Sequence, residues 1–286
     1  MQTSGTGAPV LLEAGAGEWS SHWHRLLSMD SMGVQWIAYD RAGLGWSPPR
    51  HGHRDVAVLA DELLALLDAM AIRAPILLVA HSFGASIARV LAAKHPTRVR
   101  GVLFVDGWHE SFSAWEGQQV PAQTGWAGRL LQGAVAAAMW AGRLRPLHWL
   151  LPTPAAPWPL PDDVWRAMLD ISASGRCFRA AQREAEAYDA GDKILMTLPP
   201  LCQPCMALVA RETIRAMDMP EAYPVAEHNA AWQQAGARLA QCSAQGEWQL
   251  LTDTDHMVQL NRPDLVVQGV TDLLARTAAG NAAESP

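Results

Sequence analysis

Short apolar runs alternate with segments of helical spacing along most of the chain. Each run is mostly apolar and lacks a regular alternation with polar residues, as expected of strands that are covered on both faces of a sheet. The predicted strands are Val10–Ala14, Val34–Asp40, Ile76–Ala80, Val102–Asp106, Met206–Ala210 and Trp248–Thr252. The clearest helical segments are Asp55–Met70, Phe83–His95 and Pro263–Arg276. Strands that alternate with helices predict a doubly wound α/β fold, built on a mostly parallel sheet of about six strands.

The alternation stops between residues 108 and 200, in a stretch rich in tryptophan and proline. Helical spacing in this stretch covers Trp126–Leu151, Pro161–Ser174 and Cys177–Ala190. We interpret residues 108–200 as a helical lid, inserted into an α/β core formed by residues 1–107 and 201–286. Most of the tryptophans are expected to pack the lid itself, and a few to line an apolar ligand pocket.

The strand over residues 76–80 stops abruptly at a serine, within the sequence Ala-His-Ser-Phe-Gly of residues 80–84. Small residues at positions 80 and 84 permit a sharp turn from strand to helix, which strains the backbone of Ser82 and raises its hydroxyl above the sheet. The helix begins directly behind the serine, so its free N–H groups face any negative charge that develops there. This pattern is typical of a nucleophile elbow, in which His81 is expected to support the turn.

Three other motifs accompany the elbow. Residues 39–47 read Tyr-Asp-Arg-Ala-Gly-Leu-Gly-Trp-Ser, residues 254–256 read Thr-Asp-His, and residues 12–17 read Leu-Glu-Ala-Gly-Ala-Gly. Together the four motifs resemble the α/β-hydrolase family, in its capped, serine-esterase-like branch, over essentially the full chain. In the last motif Ala-Gly stands where most members have His-Gly. The resemblance implies a catalytic triad and an oxyanion hole, and we expect neither a cofactor nor a metal.

The triad requires a base and an acid besides Ser82, because a serine hydroxyl is a poor nucleophile until a base takes its proton. His256 lies between a late strand and the last helix, which is the family's position for the base. The acid is predicted to be Asp106, at the end of the strand that follows the elbow helix, where haloalkane dehalogenases carry theirs. Glu212 and Asp218 remain alternatives, because most relatives place the acid shortly after the strand that follows the lid.

An oxyanion that forms on the substrate needs two N–H donors, each of which contributes about 3 kcal/mol to stabilisation of the transition state. The elbow geometry assigns one donor to the backbone of Phe83. The second is expected in the glycine-rich loop after the first strand, and we predict Ala16, with Gly15 and Gly17 as alternatives. Glycines suit this loop because the backbone has to approach the substrate closely.

A serine at the elbow indicates acyl transfer, whereas an aspartate there would indicate dehalogenase or epoxide hydrolase chemistry. The leading hypothesis is therefore a serine hydrolase that cleaves a carboxylic ester of a small or medium apolar substrate. Aminopeptidase, thioesterase or carbon–carbon bond hydrolase activity on the same triad is the alternative among enzymes. A non-catalytic protein that keeps the fold to bind a ligand is the alternative from another class.

Composition narrows the partners and the compartment. The net charge is −6 without a basic cluster, which argues against nucleic acid as a partner. No signal-peptide pattern is visible and no apolar stretch approaches the ~20 residues that span a bilayer, so a cytoplasmic protein without a membrane partner is expected. Lipid contact through Trp126–Leu151, which combines apolar residues with arginines, stays an alternative. Cys202 and Cys205 are interpreted as reduced thiols and not as a metal or redox site.

The start of the chain departs from the family pattern. The loop with Ala16 begins so early that the two antiparallel strands that usually open this fold are predicted to be missing. The strand Val34–Asp40, which carries Trp36 and Ile37, would then form an edge of the sheet. An uncovered apolar edge invites pairing with another chain, so a homodimer through this edge, or else reduced stability, is predicted.

Overall fold

A central sheet of seven strands organises the computed structural model, which describes residues 1–30, 33–119, 154–215, 217, 219 and 223–283. The strands are β1 (Gln2–Ser4), β2 (Ala8–Glu13), β3 (Val34–Ala38), β4 (Ile76–His81), β5 (Val99–Val105), β6 (Cys205–Ala210) and β7 (Gly246–Leu251). Their order across the sheet is β1-β3-β2-β4-β5-β6-β7, and every neighbouring pair is parallel except β1 with β3. The carboxyl ends of the parallel strands therefore share one edge, where loops from distant parts of the chain meet.

Helices connect these strands. In the described part of the chain they are α1 (His24–Leu27), α2 (Val56–Ala69), α3 (Gly84–Lys94), α4 (Glu110–Gln119), α5 (Asp162–Ser172), α6 (Gly175–Glu186), α7 (Tyr188–Leu195), α8 (Val225–Ala240), α9 (Val258–Asn261) and α10 (Pro263–Ala283). Asp55 fixes the start of α2, because its carboxylate accepts hydrogen bonds from the N–H groups of Ala57 and Val58, both at 3.0 Å.

Both faces of the central strands are covered, which explains why these strands are mostly apolar, whereas most residues of the edge strand β7 are exposed or half-buried. In β4, Leu78 and Ala80 pack on one face with the buried residues of α2 and α3, while Leu77 and Val79 pack on the other face with those of α10. Successive side chains of a strand point to opposite faces, so a strand between two helical layers needs apolar residues at every position. The predicted doubly wound α/β architecture is confirmed.

The predicted free edge at residues 34–40 is wrong, because β1 pairs with β3 in antiparallel orientation. Gln2 lies opposite Ala38, and Ser4 lies opposite Trp36. The sheet therefore has seven strands instead of six, and β3 has a neighbour on each side. The sequence Gln-Thr-Ser of β1 contains no apolar pattern from which a strand could be predicted. The homodimer stays a prediction, without the free edge that motivated it.

The segment between β5 and β6 carries the described helices α4, α5, α6 and α7. The predicted helices over residues 161–174 and 177–190 correspond to α5 and to α6 with the first part of α7. The predicted helix and lipid contact at Trp126–Leu151 lie outside the described residues. The assignment of residues 108–200 as a lid stays a prediction. No helix in the described part of the chain is both long and apolar enough to cross a membrane.

Candidate active site

Ser82 occupies a sharp turn between β4 and α3 at the carboxyl edge of the sheet. Its backbone is left-handed, with φ of 50°, a conformation that is unusual for a residue with a side chain. Its N–H donates to the Val105 carbonyl at 3.2 Å, and its own carbonyl accepts from the Trp108 N–H at 2.9 Å. A Cβ at position 84 would lie 2.7 Å from the Glu13 carbonyl oxygen, so only glycine permits this approach between helix and loop. The turn is thus fixed from both sides.

Asp106 lies at the end of β5, beside the elbow strand, and contacts His256. Its Oδ2 is 2.7 Å from His256 Nδ1, although the two residues are 150 positions apart in the chain. The same carboxylate is fully buried and accepts hydrogen bonds from the Ala210 N–H at 2.8 Å and the Thr213 hydroxyl at 3.2 Å. A carboxylate only accepts, so the Nδ1 of His256 carries the proton. The Nε2 of the neutral ring is then free to act as a base.

The other two candidate acids have different positions. Glu212 is exposed, and the structure does not bring it to His256. Asp218 lies outside the described residues. Thr213, next to Glu212 in the chain, donates to Asp106, so the loop after β6 contributes a hydroxyl to the buried carboxylate. Among the described residues, Asp106 is the carboxylate that the fold brings to the imidazole.

The ring of His256 is held between two other rings. His81 lies on one side, with ring centroids 4.6 Å apart, and Trp232 meets the imidazole edge to face at 5.4 Å.

Among the described residues, the Ser82 hydroxyl has no hydrogen-bond partner. The hydrogen bond from a nucleophile to its base is often long until substrate binds, so this geometry is compatible with a serine and histidine pair.

His81, predicted to support the elbow, makes a buried ionic link between two loops. Its Nδ1 is 2.9 Å from Glu18 Oε2, and its Nε2 is 2.9 Å from the His256 carbonyl oxygen. Both partners are acceptors, so both ring nitrogens carry protons and the imidazole is a cation. Burial alone would lower the pKa of His81, but the Glu18 carboxylate raises it above its usual value. Burial alone would raise the pKa of Glu18, but His81 lowers it strongly.

The loop from residue 14 to residue 18 presents one free N–H among the three predicted oxyanion donors. The Gly15 N–H donates to Glu18 at 2.9 Å, and the Gly17 N–H donates to Glu184 at 3.0 Å. In the part of the chain that the structure describes, the N–H of Ala16 has no partner, and neither has the N–H of Phe83. Of the loop candidates, only Ala16 can therefore donate without first breaking another hydrogen bond.

A buried charged cluster supports this loop. Arg41 donates to the Glu13 carboxylate at 2.5 Å, to the Ala14 carbonyl at 2.7 Å and to the Gly15 carbonyl at 2.5 Å. Its Nε and Nη2 form a two-pronged pair with Glu184, each at 2.9 Å. Burial alone would raise the pKa of Glu184, but Arg41 lowers it below its usual value.

Sequence reasoning missed this cluster. Arg41 belongs to the motif of residues 39–47, which signals the family without assigning the arginine a role. Glu184 lies in a helix rich in charged residues and looks like part of a solvated face. Both side chains are almost completely buried, at 3% and 0% exposed. No pattern within the helix could reveal this burial, because it depends on two arginines from another part of the chain.

Aromatic side chains surround the region beyond His256. Trp108, Phe112, Trp115, His228 and Trp232 form a contiguous cluster, with neighbouring ring centroids 4.8 to 6.2 Å apart. Trp108 also lines a cavity of about 680 Å³. Cavities of about 300–1,000 Å³ suit small organic ligands. One lining residue, Trp108, contacts the elbow through its N–H, which donates to the Ser82 carbonyl.

Known proteins resemble this chain in sequence. A family model described as "alpha/beta hydrolase fold" matches residues 8–167. "Putative carbamate hydrolase RutD" of Azorhizobium caulinodans is 34% identical over 104 residues, which are 36% of this chain and 39% of the relative. 2-Hydroxymuconate semialdehyde hydrolase of Pseudomonas sp. strain CF600 is 32% identical over 122 residues, 41% of this chain and 42% of the relative. The matched part of the chain spans about two fifths of the length of each of these two relatives.

Solved structures resemble the chain over nearly its whole length. A thermophilic esterase from Thermogutta terrifontis superposes with a TM-score of 0.63 at 19% identity, and covers 96% of this chain and 92% of its own. At this identity the likeness concerns the fold alone. The family model extends over more than half of the chain, and the seven-stranded sheet has the corresponding architecture. The chain belongs to the α/β-hydrolase fold family.

Proposed function

We propose that the protein is a serine hydrolase that cleaves a carboxylic ester of a small or medium apolar substrate, through an acyl-enzyme on Ser82. One observation carries this proposal: the hydrogen bond between His256 and the buried Asp106, at the sheet edge where the strained Ser82 turn lies. An imidazole with its Nδ1–H directed to a buried carboxylate offers Nε2 as a base. That is the arrangement needed to activate a serine hydroxyl.

The proposed reaction follows in two stages. Ser82 Oγ attacks the ester carbonyl carbon while His256 Nε2 takes the hydroxyl proton, and Asp106 stabilises the imidazolium that forms. The negative charge moves to the carbonyl oxygen, where the free N–H groups of Ala16 and Phe83 would stabilise it. The tetrahedral intermediate then expels the alcohol, which receives the proton from His256. A water molecule then attacks the acyl carbon while His256 takes its proton. The second tetrahedral intermediate breaks the bond to Ser82 Oγ, which receives the proton back from His256 as the carboxylic acid is released.

The surroundings favour an apolar substrate. Trp108 and Tyr188 line the described cavity, and their rings contact one another with centroids 4.7 Å apart. The Tyr188 ring also contacts the ring of Phe83, directly after Ser82, with centroids 4.9 Å apart. Large aromatic faces bind apolar groups by excluding water from both surfaces. The same cavity also exposes the carboxylates of Glu116 and Asp189, so an anionic substrate would be repelled. We therefore expect neutral esters to react faster than esters that carry an additional carboxylate.

Carbon–carbon bond hydrolysis on the same residues is the second candidate. It is favoured by the 32% identity with a protein named 2-hydroxymuconate semialdehyde hydrolase. Turnover of a p-nitrophenyl ester, compared with a vinylogous diketone that can release only a carbon leaving group, separates the two candidates. Preference for the diketone by more than about tenfold in kcat/KM, which is about 1.4 kcal/mol of transition-state binding, would reverse the assignment.

The test of the proposal is covalent labelling with a fluorophosphonate, followed by mapping of the modified residue by mass spectrometry. We expect one adduct, on Ser82, which is lost in the His256→Ala variant. Ser86→Ala is the matched control, because Ser86 is a buried serine in the first turn of α3, directly after the elbow, and should not affect labelling. If correctly folded protein gives no adduct, the serine is not activated. The non-catalytic ligand-binding alternative would then replace the proposal.

A further inference from the structure

We propose that Glu184, on the inserted helix α6, is a positioning residue for the oxyanion donor at Ala16. The inference rests on the proposed serine hydrolase function and extends it. Glu184 is 167 positions away from Gly17 in the chain, and it would act on the reaction only through the backbone of the loop. Its role would be to set the direction of one N–H group before substrate arrives.

Two peptide groups flank Ala16, and both are held by charged groups. The peptide between Gly15 and Ala16 is fixed at its carbonyl, which accepts from Arg41 Nη2 at 2.5 Å. The peptide between Ala16 and Gly17 is fixed at its N–H, which donates to Glu184 Oε2 at 3.0 Å. A peptide group is planar and trans, so its N–H points opposite to its carbonyl. Anchoring the Gly15 carbonyl on Arg41 therefore directs the Ala16 N–H away from Arg41.

Glu184 also orients Arg41 itself. Its two carboxylate oxygens accept from the Nε and Nη2 of Arg41, each at 2.9 Å, and this two-pronged pairing fixes the plane of the guanidinium. Nη2 is thereby held in line with the Gly15 carbonyl. Glu184 thus acts on one flanking peptide directly and on the other through Arg41.

The packing of α6 leaves this contact little freedom. Ala181 lies one turn before Glu184 on the helix, and a Cβ at Gly17 would lie only 2.9 Å from the Ala181 Cβ. The Gly17 backbone has a φ of 70°, which a residue with a side chain rarely adopts. The helix therefore rests directly on the loop at Gly17. Bulk water does not compete for this contact, because Glu184 is completely buried.

A purely structural role is the competing explanation, because Glu184 also pairs with Arg54 at 2.5 Å. A residue that only stabilises the fold would change the free energy of unfolding and leave kcat of the folded protein unaltered. A positioning residue lowers kcat with little change in KM, because the oxyanion develops only in the transition state. The two roles therefore differ in whether kcat of the folded protein falls.

The experiment uses the full chain with Glu184→Gln and Glu184→Asp. Glu184→Gln keeps the shape of the side chain and removes its charge. Glu184→Asp keeps the charge, so the buried cluster stays balanced if the first variant does not fold, but it withdraws the carboxylate from the loop. We expect kcat for a p-nitrophenyl ester to fall about 10- to 100-fold in either variant, below the loss seen when a whole donor is removed, while KM changes less than twofold.

A transition-state analogue supplies the second measurement. A trifluoromethyl ketone forms a hemiketal oxyanion on an activated serine, so its inhibition constant should rise by the same factor by which kcat/KM falls. The matched control is Glu110→Gln. Glu110 also forms a buried pair with an arginine, Arg89, at 2.5 Å, and neither residue contacts the loop. This control should lose stability to a similar extent while its kcat stays within twofold of the wild type.

The outcomes are distinct. If the wild type is labelled by a fluorophosphonate and both Glu184 variants keep their kcat, the inference is wrong and the proposed function stands. An equal loss of kcat in Glu184→Gln and Glu110→Gln would also overturn it, because the effect would then follow general destabilisation. If the wild type itself does not react, the proposed function fails, and the inference fails with it.

Discussion

Two fully buried carboxylates support the two halves of the candidate site, and they come from different parts of the architecture. Asp106 belongs to the sheet: it ends β5, and its contacts come from the ends of β6 and β7. Glu184 belongs to a helix between β5 and β6, and reaches the loop after β2 from outside the sheet. The base half of the site is thus a product of sheet topology, whereas the oxyanion half depends on the docking of a helix.

Because of this difference, we expect that a substitution can impair one half of the site and leave the other half intact. Asp106 directly follows β5, whose end is fixed by the hydrogen-bond ladder of the sheet, so its position should persist as long as the sheet does. The contact between Glu184 and Gly17 depends on side-chain packing and on a balanced charge cluster, which a single substitution can disturb. Perturbation of α6 should therefore impair oxyanion stabilisation before it impairs proton transfer.

Substitution of Asp106 tests the base half of the site and should have the largest effect on kcat. Asp106→Asn should lower kcat on the order of 10⁴-fold, because the amide no longer selects the Nδ1–H form of His256. The backbone should tolerate the change, since asparagine adopts the positive φ of 44° seen at this position. Steady-state kinetics with a p-nitrophenyl ester measures it. Glu212→Gln is the control and should stay within twofold of the wild type. A loss of kcat in that control with Asp106→Asn active would reassign the acid.

Removal of the Glu184 side chain tests the other half of the site through the free energy of unfolding. Glu184→Ala leaves the buried Arg41 and Arg54 short of one negative charge, so the free energy of unfolding should fall by about 3–5 kcal/mol. Urea denaturation followed by circular dichroism measures the change. Asp106→Asn, which removes a charge but keeps hydrogen-bonding groups of the same shape, should cost less. A smaller loss for Glu184→Ala than for Asp106→Asn would contradict the assignment of α6 docking to the charge cluster.

Two glycine variants separate the effect of the left-handed loop backbone from the effect of the contact with α6. Gly17→Ala should lose about 1 kcal/mol from its left-handed backbone and a further ~1–3 kcal/mol from the clash with Ala181. Gly33→Ala is the matched control, because Gly33 has a similar φ of 80° but no atom within 4 Å of an added Cβ. Only Gly17→Ala should also lower kcat. Equal effects of the two variants on stability and kcat would show that α6 does not press on the loop.

A pH dependence tests the ionic link between the two loops. The pKa of His81 is raised in the folded protein, so the pair with Glu18 contributes fully below the usual histidine pKa of about 6.5. Its contribution is lost as the pH rises through the raised folded value. Urea unfolding at pH 6 and pH 9 should therefore show a larger loss of stability in the wild type than in His81→Gln. Identical pH dependence in the two proteins would refute the link.

The smallest effect concerns the edge of the sheet. Deletion of residues 1–4 removes β1 and should cost less than about 1 kcal/mol, because these residues bury little apolar surface. It exposes the apolar strand β3, however, and should produce association that grows with concentration in sedimentation velocity experiments. A truncated protein that stays monomeric at high concentration would remove the remaining support for a dimer through this edge.

Much of the fold and part of the site could be predicted because the relevant signals are local. A buried parallel strand needs an uninterrupted apolar run, and the turn at Ser82 needs small residues at fixed positions, so both are visible in a few consecutive residues. His256 could be predicted from its position before the last helix. The position of Asp106 at a strand end favours it over Glu212 and Asp218 as the acid, and the structure brings it to His256.

The remainder depends on contacts between distant residues. β1 is a strand only because β3 offers it an edge, and its three polar residues have no pattern of their own. Glu184 is buried only because Arg41 and Arg54 compensate its charge from more than a hundred residues away. The free N–H of Ala16 likewise stands out only once the partners of Gly15 and Gly17 are known. Such features follow from tertiary packing and not from periodicity.

The packing of α6 against the loop at Gly17 has a consequence for protein engineering. Inserted segments of hydrolases are attractive modules to exchange between proteins, because they can change which molecules reach the nucleophile while the core stays intact. In this chain such a transplant would also remove the carboxylate that balances Arg41. A chimera that omits an acidic residue at position 184 would keep its sheet, its serine and its imidazole, yet lose the contacts that Glu184 makes with Gly17 and Arg41. If the proposed function holds, a transplant of this segment would therefore be expected to change catalytic rate together with substrate range.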